Sequence, residues 1–232
     1  MLGDRRGTRP TPLCHLPVRR PDKGKADSLP RPRPGEPLLP EGRRGATDVF
    51  GVDISAEMIA AAREFEQRDP LGVRYEVGDV AELRSLERRF DAALGVQCLN
   101  YAADMAEMER MCRNIHRSLV PGGEFFVFAQ KPDYRFDCPS LDKYGFLCEP
   151  TGEEIETGPR VRVTALLDPR PISIVCAVPR REVYEGCLRA AGFSDVKWVP
   201  LQVSEAGIHE YGEVFWADLL AHPPLEMLRC RA

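Results

Sequence analysis

Two carboxylates stand at the ends of apolar runs, Asp53 closing V-F-G-V-D and Asp79 following Y-E-V-G, with a spacing of 26 residues. A carboxylate at the carboxyl end of a buried strand can accept hydrogen bonds from both hydroxyls of a ribose. It can equally help to cap the helix that follows. Asp79 can accept from an exocyclic adenine amine while the Val80 N–H donates to a ring nitrogen, or it can be an ordinary turn aspartate. Two such groups in succession point to a nucleoside more strongly than either does alone. A third polar set follows in G-V-Q-C-L-N-Y, Gly95 to Tyr101. There a strand ends in glycine and then offers Gln97, Asn100 and Tyr101, amide and phenol groups suited to orienting a polar substrate or facing a cation. The alternative for Tyr101 is to cover the rim of the core.

These groups need strands to carry them. Asp48 to Val52 reads as a buried strand, and Ser55 as the N-cap of a helix over Ala56 to Gln67 with Met58, Ile59, Ala62 and Phe65 on its inner face. Asp69-Pro70-Leu71-Gly72 ends that helix, and Val73 to Val77 forms a second strand, with Gly78, Asp79 and Val80 as the turn after it. Phe90 to Val96 is a third strand, and Met105 to Leu119 a helix with Met105, Met108, Cys112, Ile115 and Leu119 at core spacing. Pro121-Gly122-Gly123 turns the chain into a strand over Glu124 to Ala129. Strands alternating with helices at this interval predict an α/β fold, doubly wound and Rossmann-like, with a mostly parallel sheet. Val161 to Leu167 and Ile172 to Val178, separated by Asp168-Pro169-Arg170-Pro171, read as an added antiparallel pair. A helix over Arg180 to Ala191 closed by Gly192 precedes last strands at Val196 to Pro200 and Leu225 to Cys230.

Composition narrows the function classes. The chain has 232 residues and a net charge of −4, enough for one full domain and no general attraction to nucleic acid or membrane. No stretch is long and apolar enough to span a membrane or to act as a secretory signal, so a cytoplasmic protein is expected. The eight cysteines form no C-x-x-C pair and lie mostly in apolar runs, which predicts buried thiols and no metal site. The four histidines have neither metal nor triad spacing, and His116 is expected to be solvated or capping. Val214-Phe215-Trp216 is expected to pack rather than to stack on bases.

In order along the chain, V-F-G-V-D-I-S-A-E-M-I, Y-E-V-G-D-V, F-D-A-A-L-G-V-Q-C-L-N-Y, L-V-P-G-G-E-F-F-V-F and L-R-A-A-G-F-S-D-V resemble class I S-adenosylmethionine-dependent methyltransferases, from about Arg43 onward. The L-N-Y step and the tails W-V-P-L-Q-V-S-E-A-G-I and F-W-A-D-L-L-A-H-P-P resemble the branch that includes toxoflavin-synthesis methyltransferases, which act on heterocyclic nitrogen. The resemblance implies S-adenosylmethionine as cofactor and a small-molecule acceptor. By it, Asp53 would hold the ribose, Gly78, Asp79 and Val80 the adenine edge, Ile54 and Met58 the adenine faces, and Gln97 the methionine end. Asn100 and Tyr101 would face the acceptor. No dedicated base is nominated, because alignment and desolvation can carry a sulfonium methyl transfer.

One departure stands out. The family's first strand and G-x-G-x-G loop belong about 20 residues before Asp53, where this chain reads Pro30-Arg31-Pro32-Arg33-Pro34-Gly35-Glu36-Pro37. Proline removes backbone donors, so this run cannot be a central strand. Residues 1–44 hold eleven Lys/Arg against five Asp/Glu, and nine of the 21 prolines fall in the first 40 residues. An irregular or disordered segment over 1–44, before a methyltransferase-like domain over 45–232, is therefore expected. Two origins for that segment stay open: a degenerate N-terminal half-site, or a start read out of frame, since Pro, Arg, Gly and Ala are what GC-rich DNA encodes in wrong frames. The first would suit a non-catalytic methyltransferase-like partner protein. With the central strand missing, a marginally stable chain is expected.

Overall fold

The computed structural model describes residues 14–16, 48–83, 89–166 and 170–232. Apart from the triplet 14–16, the irregular segment expected over 1–44 lies outside the described residues, as do the Pro/Arg run at 30–37 and the turn residues Asp168 and Pro169. Strand β1 is Cys14–Leu16, β2 Val49–Asp53, β3 Val73–Val77, β4 Phe90–Val96 and β5 Leu119–Gln130. Between them run helices α1, Ala56–Arg68, and α2, Met105–Ser118, with 3-10 turns at Val80–Glu82 and Cys98–Tyr101. Strands β6 (Phe146–Ile155), β7 (Gly158–Ala165) and β8 (Ile172–Ala177) follow, then α3 (Arg181–Ala190) and β9 (Ser194–Val199). Helices α4 (Glu205–Tyr211) and α5 (Glu213–Ala221) lead into β10, Leu225–Arg231.

Local chemistry sets the helix ends. The Ser55 hydroxyl accepts from the Met58 N–H at 3.2 Å and starts α1. Asp104 accepts from the Glu107 N–H at 2.7 Å while the Glu107 carboxylate reaches back to the Ala103 N–H, a reciprocal cap on α2. Helix α3 ends as its glycine predicts. Gly192, at φ +105°, donates to the Arg189 carbonyl, and Phe193 donates to the Leu188 carbonyl, the paired bonds of a Schellman close.

The main sheet has seven strands in the order β3-β2-β1-β4-β5-β10-β9. This corrects the expectation of a mostly parallel sheet: β2–β3 and β4–β5 are parallel, but β1 runs antiparallel to both its neighbours and β10 to both of its own. The slot between β2 and β4, where the family's parallel first strand belongs, is not left open. It is filled by Cys14–Leu16, with Cys14 opposite Val52 and Gly95. Two strands held apart inside a sheet leave facing rows of N–H and C=O groups, and even a three-residue extended segment can satisfy part of both rows.

Helices cover both faces. On one, α1 seats Ile59 and Ala62 against Val49, Val73 and Tyr75. On the other, α2 and α3 bury Met108, Cys112, Ile115, Tyr184 and Leu188 against Phe125, Val127 and Leu228 in the larger core. The inner stripe expected of α1 is narrower than its spacing suggests, since Met58 is 46% exposed. Of the seven cysteines from Cys98 to Cys230, five are buried and all are free thiols. Of the two roles expected for His116, the structure favours capping: it is half-buried, hydrogen-bonds to the backbone of Gly192 at the end of α3 and packs edge-on against Phe193 at 4.9 Å, and burial lowers its pKa.

The expected antiparallel pair, β7–β8, is joined by β6 into a separate three-stranded sheet, β6-β7-β8. Strand β6 carries a proline, a glycine and three glutamates, which read as loop. Helices α4 and α5 are short and separated by Gly212 at φ +80°. Phe215 and Trp216 pack with Tyr144 and Tyr211 at centroid distances of 5.0 to 5.7 Å, as expected, whereas Val214 is 87% exposed. No helix among the described residues is long and apolar enough to cross a membrane.

Candidate cofactor and acceptor site

The parallel strands β2, β3, β4 and β5 bring their carboxyl ends to one edge of the sheet, where open α/β folds bind ligands. Asp53 is the last residue of β2 and opposes Val77, the last residue of β3. Its side chain is 2% exposed. One oxygen, Oδ1, accepts from the Ser55 N–H at 2.7 Å; the other, Oδ2, is buried without a hydrogen-bond partner. Burial pushes the carboxyl up to about 6, and the Ser55 bond only partly opposes that shift. A carboxylate oxygen held in this way needs a donor that the described residues do not supply.

The surroundings of Asp53 are apolar and open. Ile54 is 48% exposed, Met58 46% and Val77 51%, three large apolar side chains on the two strand ends and the first turn of α1. Such faces suit the two sides of a flat heterocycle. Val77 was not singled out by the sequence, because alternation within V-R-Y-E-V marks it as one more strand residue.

The Asp79 turn is built beside this wall. Gly78 donates to the Asp53 carbonyl at 2.9 Å, and a Cβ at Gly78 would lie 3.3 Å from the Val52 side chain, so the glycine lets the two strand ends meet. Asp79 accepts from the Ala81 N–H at 2.7 Å and so caps the 3-10 turn. Asn114 of α2 donates to the carbonyls of both Val80 and Ala81 at 2.9 Å, fixing the turn from behind. Asn114→Ala removes both bonds and is expected to lower stability by about 1–2 kcal/mol, read from the urea midpoint.

On β4 the chain reverses sharply. Gln97 lies at φ 58°, ψ 4°, a left-handed conformation that glycine adopts freely and glutamine does not, and its N–H donates to the Phe128 carbonyl at 2.7 Å. Gly95 allows that reversal: a Cβ there would fall 2.6 Å from the Cys98 sulfur. Strained backbone of this kind is retained where a group must be aimed. Two strand spacings, about 10 Å, separate the ends of β2 and β4.

Asn100 is placed differently from Tyr101. It is 1% exposed, donates through Nδ2 to the Ala177 carbonyl at 3.1 Å and accepts from the Tyr184 hydroxyl at 3.1 Å. Both ends of its amide are thus engaged in joining the turn to β8 and α3. Tyr101 is half-buried and packs with Phe136, Cys148 and Val163 against Val161, Cys176 and Val178. Burial pushes its phenol pKa well up, with smaller contributions from Cys176 and Asp53. At the end of β5, Gln130 is 4% exposed with Oε1 unpartnered. A polar residue closing E-F-F-V-F-A-Q was its one available signal. Among the described residues no group of three or more His, Cys, Asp or Glu could hold a metal.

A buried carboxylate oxygen in want of donors, flanked by open apolar faces, now stands at the end of β2. Residues 34–123 match the methyltransferase domain family. That methyltransferase match takes in Asp53, Asp79, Gln97, Asn100 and Tyr101. Over 78 residues the chain is 28% identical to the ubiquinone biosynthesis O-methyltransferase of Coxiella burnetii (strain Dugway 5J108-111), which covers 34% of this chain and 32% of the relative. The chain therefore spans about a third of the length of the curated relatives it matches. In structure it resembles an S-adenosylmethionine-dependent methyltransferase from Mesorhizobium loti, with a TM-score of 0.55 and 21% identity over 82% of this chain and 83% of the other. It also resembles one from Clostridium acetobutylicum ATCC 824, with a TM-score of 0.54 and 14% identity over 78% and 74%. These structures share its fold. Residues 34–123 are thus similar to a methyltransferase domain, and the chain's fold is that of the two solved structures.

Proposed function

We propose that this chain transfers the methyl group of S-adenosylmethionine to a small-molecule acceptor. The observation that carries the reading is the unpartnered, buried Oδ2 of Asp53 at the carboxyl end of β2. A ribose offers two adjacent hydroxyl donors, which is what such an oxygen lacks. Asp79 and the backbone of Val80 would take the adenine edge beside Gly78, Ile54 and Met58 its faces, and Gln97 the methionine end. Bound there, S-adenosylmethionine supplies a methyl on a sulfonium, which an acceptor lone pair takes while the carbon–sulfur electrons stay on sulfur.

The chain's own contribution is alignment and exclusion of water. Tyr101, its phenol held neutral by burial, is suited to donating a hydrogen bond and unsuited to removing a proton. Two acceptor atoms compete: heterocyclic nitrogen, from the toxoflavin-type resemblance, and oxygen, the atom in the name of the Coxiella relatives. Transfer of isotopically labelled methyl, with the product identified by mass spectrometry and NMR, separates them.

Calorimetric titration with S-adenosylmethionine tests the reading, and micromolar affinity is the expected result. No heat at millimolar cofactor would overturn it. Tyr101→Phe is expected to lower kcat about tenfold while cofactor affinity stays within twofold, checked by the labelled-methyl assay beside the titration.

A further inference from the structure

Two buried oxygens stand without partners at the carboxyl edge of the main sheet. One is Oδ2 of Asp53, at the end of β2; the other is Oε1 of Gln130, at the end of β5. Successive strand residues point to opposite faces. On β5, Phe125, Val127 and Ala129 enter the core under α2 and α3, which puts Phe126, Phe128 and Gln130 on the other face. On β2, Phe50 and Val52 enter that same core while Val49 packs under α1, so Asp53 also lies on the face of α1. Both oxygens thus belong to one face of one edge. In the strand order β2-β1-β4-β5 they stand three spacings apart, about 14 Å.

The Gln130 oxygen does nothing for the fold among the described residues. Phe125 to Ala129 before it are all apolar, and its register partner on β10 is Leu225. It is 4% exposed, and a buried amide oxygen without a donor costs stability that an apolar side chain would not. A donor from outside the chain would meet that cost. Val96 and Phe128, register partners on the face of Gln130, are half-buried, and Gln97 follows Val96 and donates its N–H to the Phe128 carbonyl. Gln130 therefore stands two residues beyond the point where the Gln97 turn is bonded to β5.

With the ribose at Asp53 and the methionine end at Gln97, as proposed above, the cofactor occupies the ends of β2 to β4 and leaves the end of β5 to the second substrate. We propose that Gln130 is a specificity residue, whose side-chain oxygen accepts a hydrogen bond from an N–H or O–H of the methyl acceptor lying against Phe128 and Val96. The proposal rests on the methyltransferase reading of the Asp53 edge and adds to it a recognition group on the acceptor side. An acceptor with no donor at that point leaves the oxygen buried and unpaired in the complex, and the site rejects it for that reason.

The test is a double-mutant cycle between protein and probe. Phenol and pyrazole, and their methylated counterparts anisole and N-methylpyrazole, are titrated by NMR into the full chain saturated with S-adenosylhomocysteine. At least one donor probe is expected to bind wild type about fivefold more tightly than its counterpart, the worth of one neutral hydrogen bond. In Gln130→Met that gap should close, with cofactor affinity unchanged and a melting temperature no lower than wild type, because no bond of the fold is removed. Gln130→Glu, which keeps an oxygen at the same chain length, should keep the gap. Equal affinities within both pairs in wild type, no binding of any probe to the cofactor-loaded chain, or a gap that persists in Gln130→Met overturns the proposal. So does a gap lost in Gln130→Glu, or a lower melting temperature in Gln130→Met, which would make the amide a structural group. Failure of S-adenosylhomocysteine to bind, with the gap and its loss in Gln130→Met intact, would instead count against the methyltransferase reading alone.

Discussion

Asp53→Asn is expected to weaken S-adenosylmethionine binding by at least about 100-fold at pH 7.5 while leaving the folded state no less stable. The first half follows from replacing a buried anionic acceptor by an amide whose N–H groups face the ribose hydroxyls; a charge-assisted bond lost and a buried donor left unpaired each cost about 1.5–3 kcal/mol. The second half follows from burial. The carboxyl is raised from 3.8 to about 6, so its ionised form is a cost to the fold. Between those two values the folded chain holds a proton that the unfolded chain releases. The group's contribution therefore declines as pH rises through the window, and above about 6 it is a fixed penalty of about 3 kcal/mol. Asparagine carries no such penalty but buries unpaired N–H groups, which returns about 1–3 kcal/mol of cost. Urea midpoints of the two chains should thus move in the variant's favour from pH 4.5 to pH 7.5. If the variant instead loses ground as pH rises, Asp53 is stabilised as an anion by its surroundings and is no receptor for donors.

The same carboxyl sets the pH dependence of binding. A diol favours the ionised form, so affinity should be flat above about pH 6 and fall toward tenfold per unit below it, with proton release on binding near the midpoint. Titration in buffers of different ionisation enthalpy measures that release directly. In Asp53→Asn both the break in the profile and the released proton should disappear.

The second large effect is expected at Asn100. Asn100→Leu keeps the branched shape but strips the Ala177 carbonyl and the Tyr184 hydroxyl of their partners, with Tyr184 fully buried. Two buried polar groups left unpaired cost about 2–4 kcal/mol together, a fall in the urea midpoint that should exceed that of Tyr184→Phe, which orphans only one acceptor. Because Asn100 joins the turn after β4 to β8, the surviving folded fraction should also transfer methyl more slowly than wild type, while its cofactor affinity stays nearer to wild type. Equal loss of methyl transfer and cofactor affinity would mean that the joint supports the whole edge rather than the acceptor side.

The placing of the candidate residues at strand ends was legible because its signals are local. Asp53 and Asp79 each end a short apolar run before a turn, and strand ends are where period and turn chemistry change together. Ser55 and Gly192 gave helix ends for the same reason. Asn100 was legible as a polar group near the crevice, but not its use: the residues that engage it, Ala177 and Tyr184, lie 77 and 84 positions away. Gln130 and Val77 had only ordinary strand patterns around them. The third strand of the small sheet was hidden because β6 relies on β7 for its register rather than on its own composition.

By itself the sequence determined the α/β alternation, most strand and helix limits from Val49 onward, and the placing of carboxylates at strand ends, because periodicity, caps and turns act over a few residues. Tertiary structure alone decided that Cys14–Leu16 fills the central slot antiparallel to both neighbours, that one oxygen of Asp53 is left without a partner, and that Tyr101 meets the apolar face of a second sheet. Strand direction, burial and an unmet hydrogen bond depend on what lies opposite in space, which no local pattern of residues records.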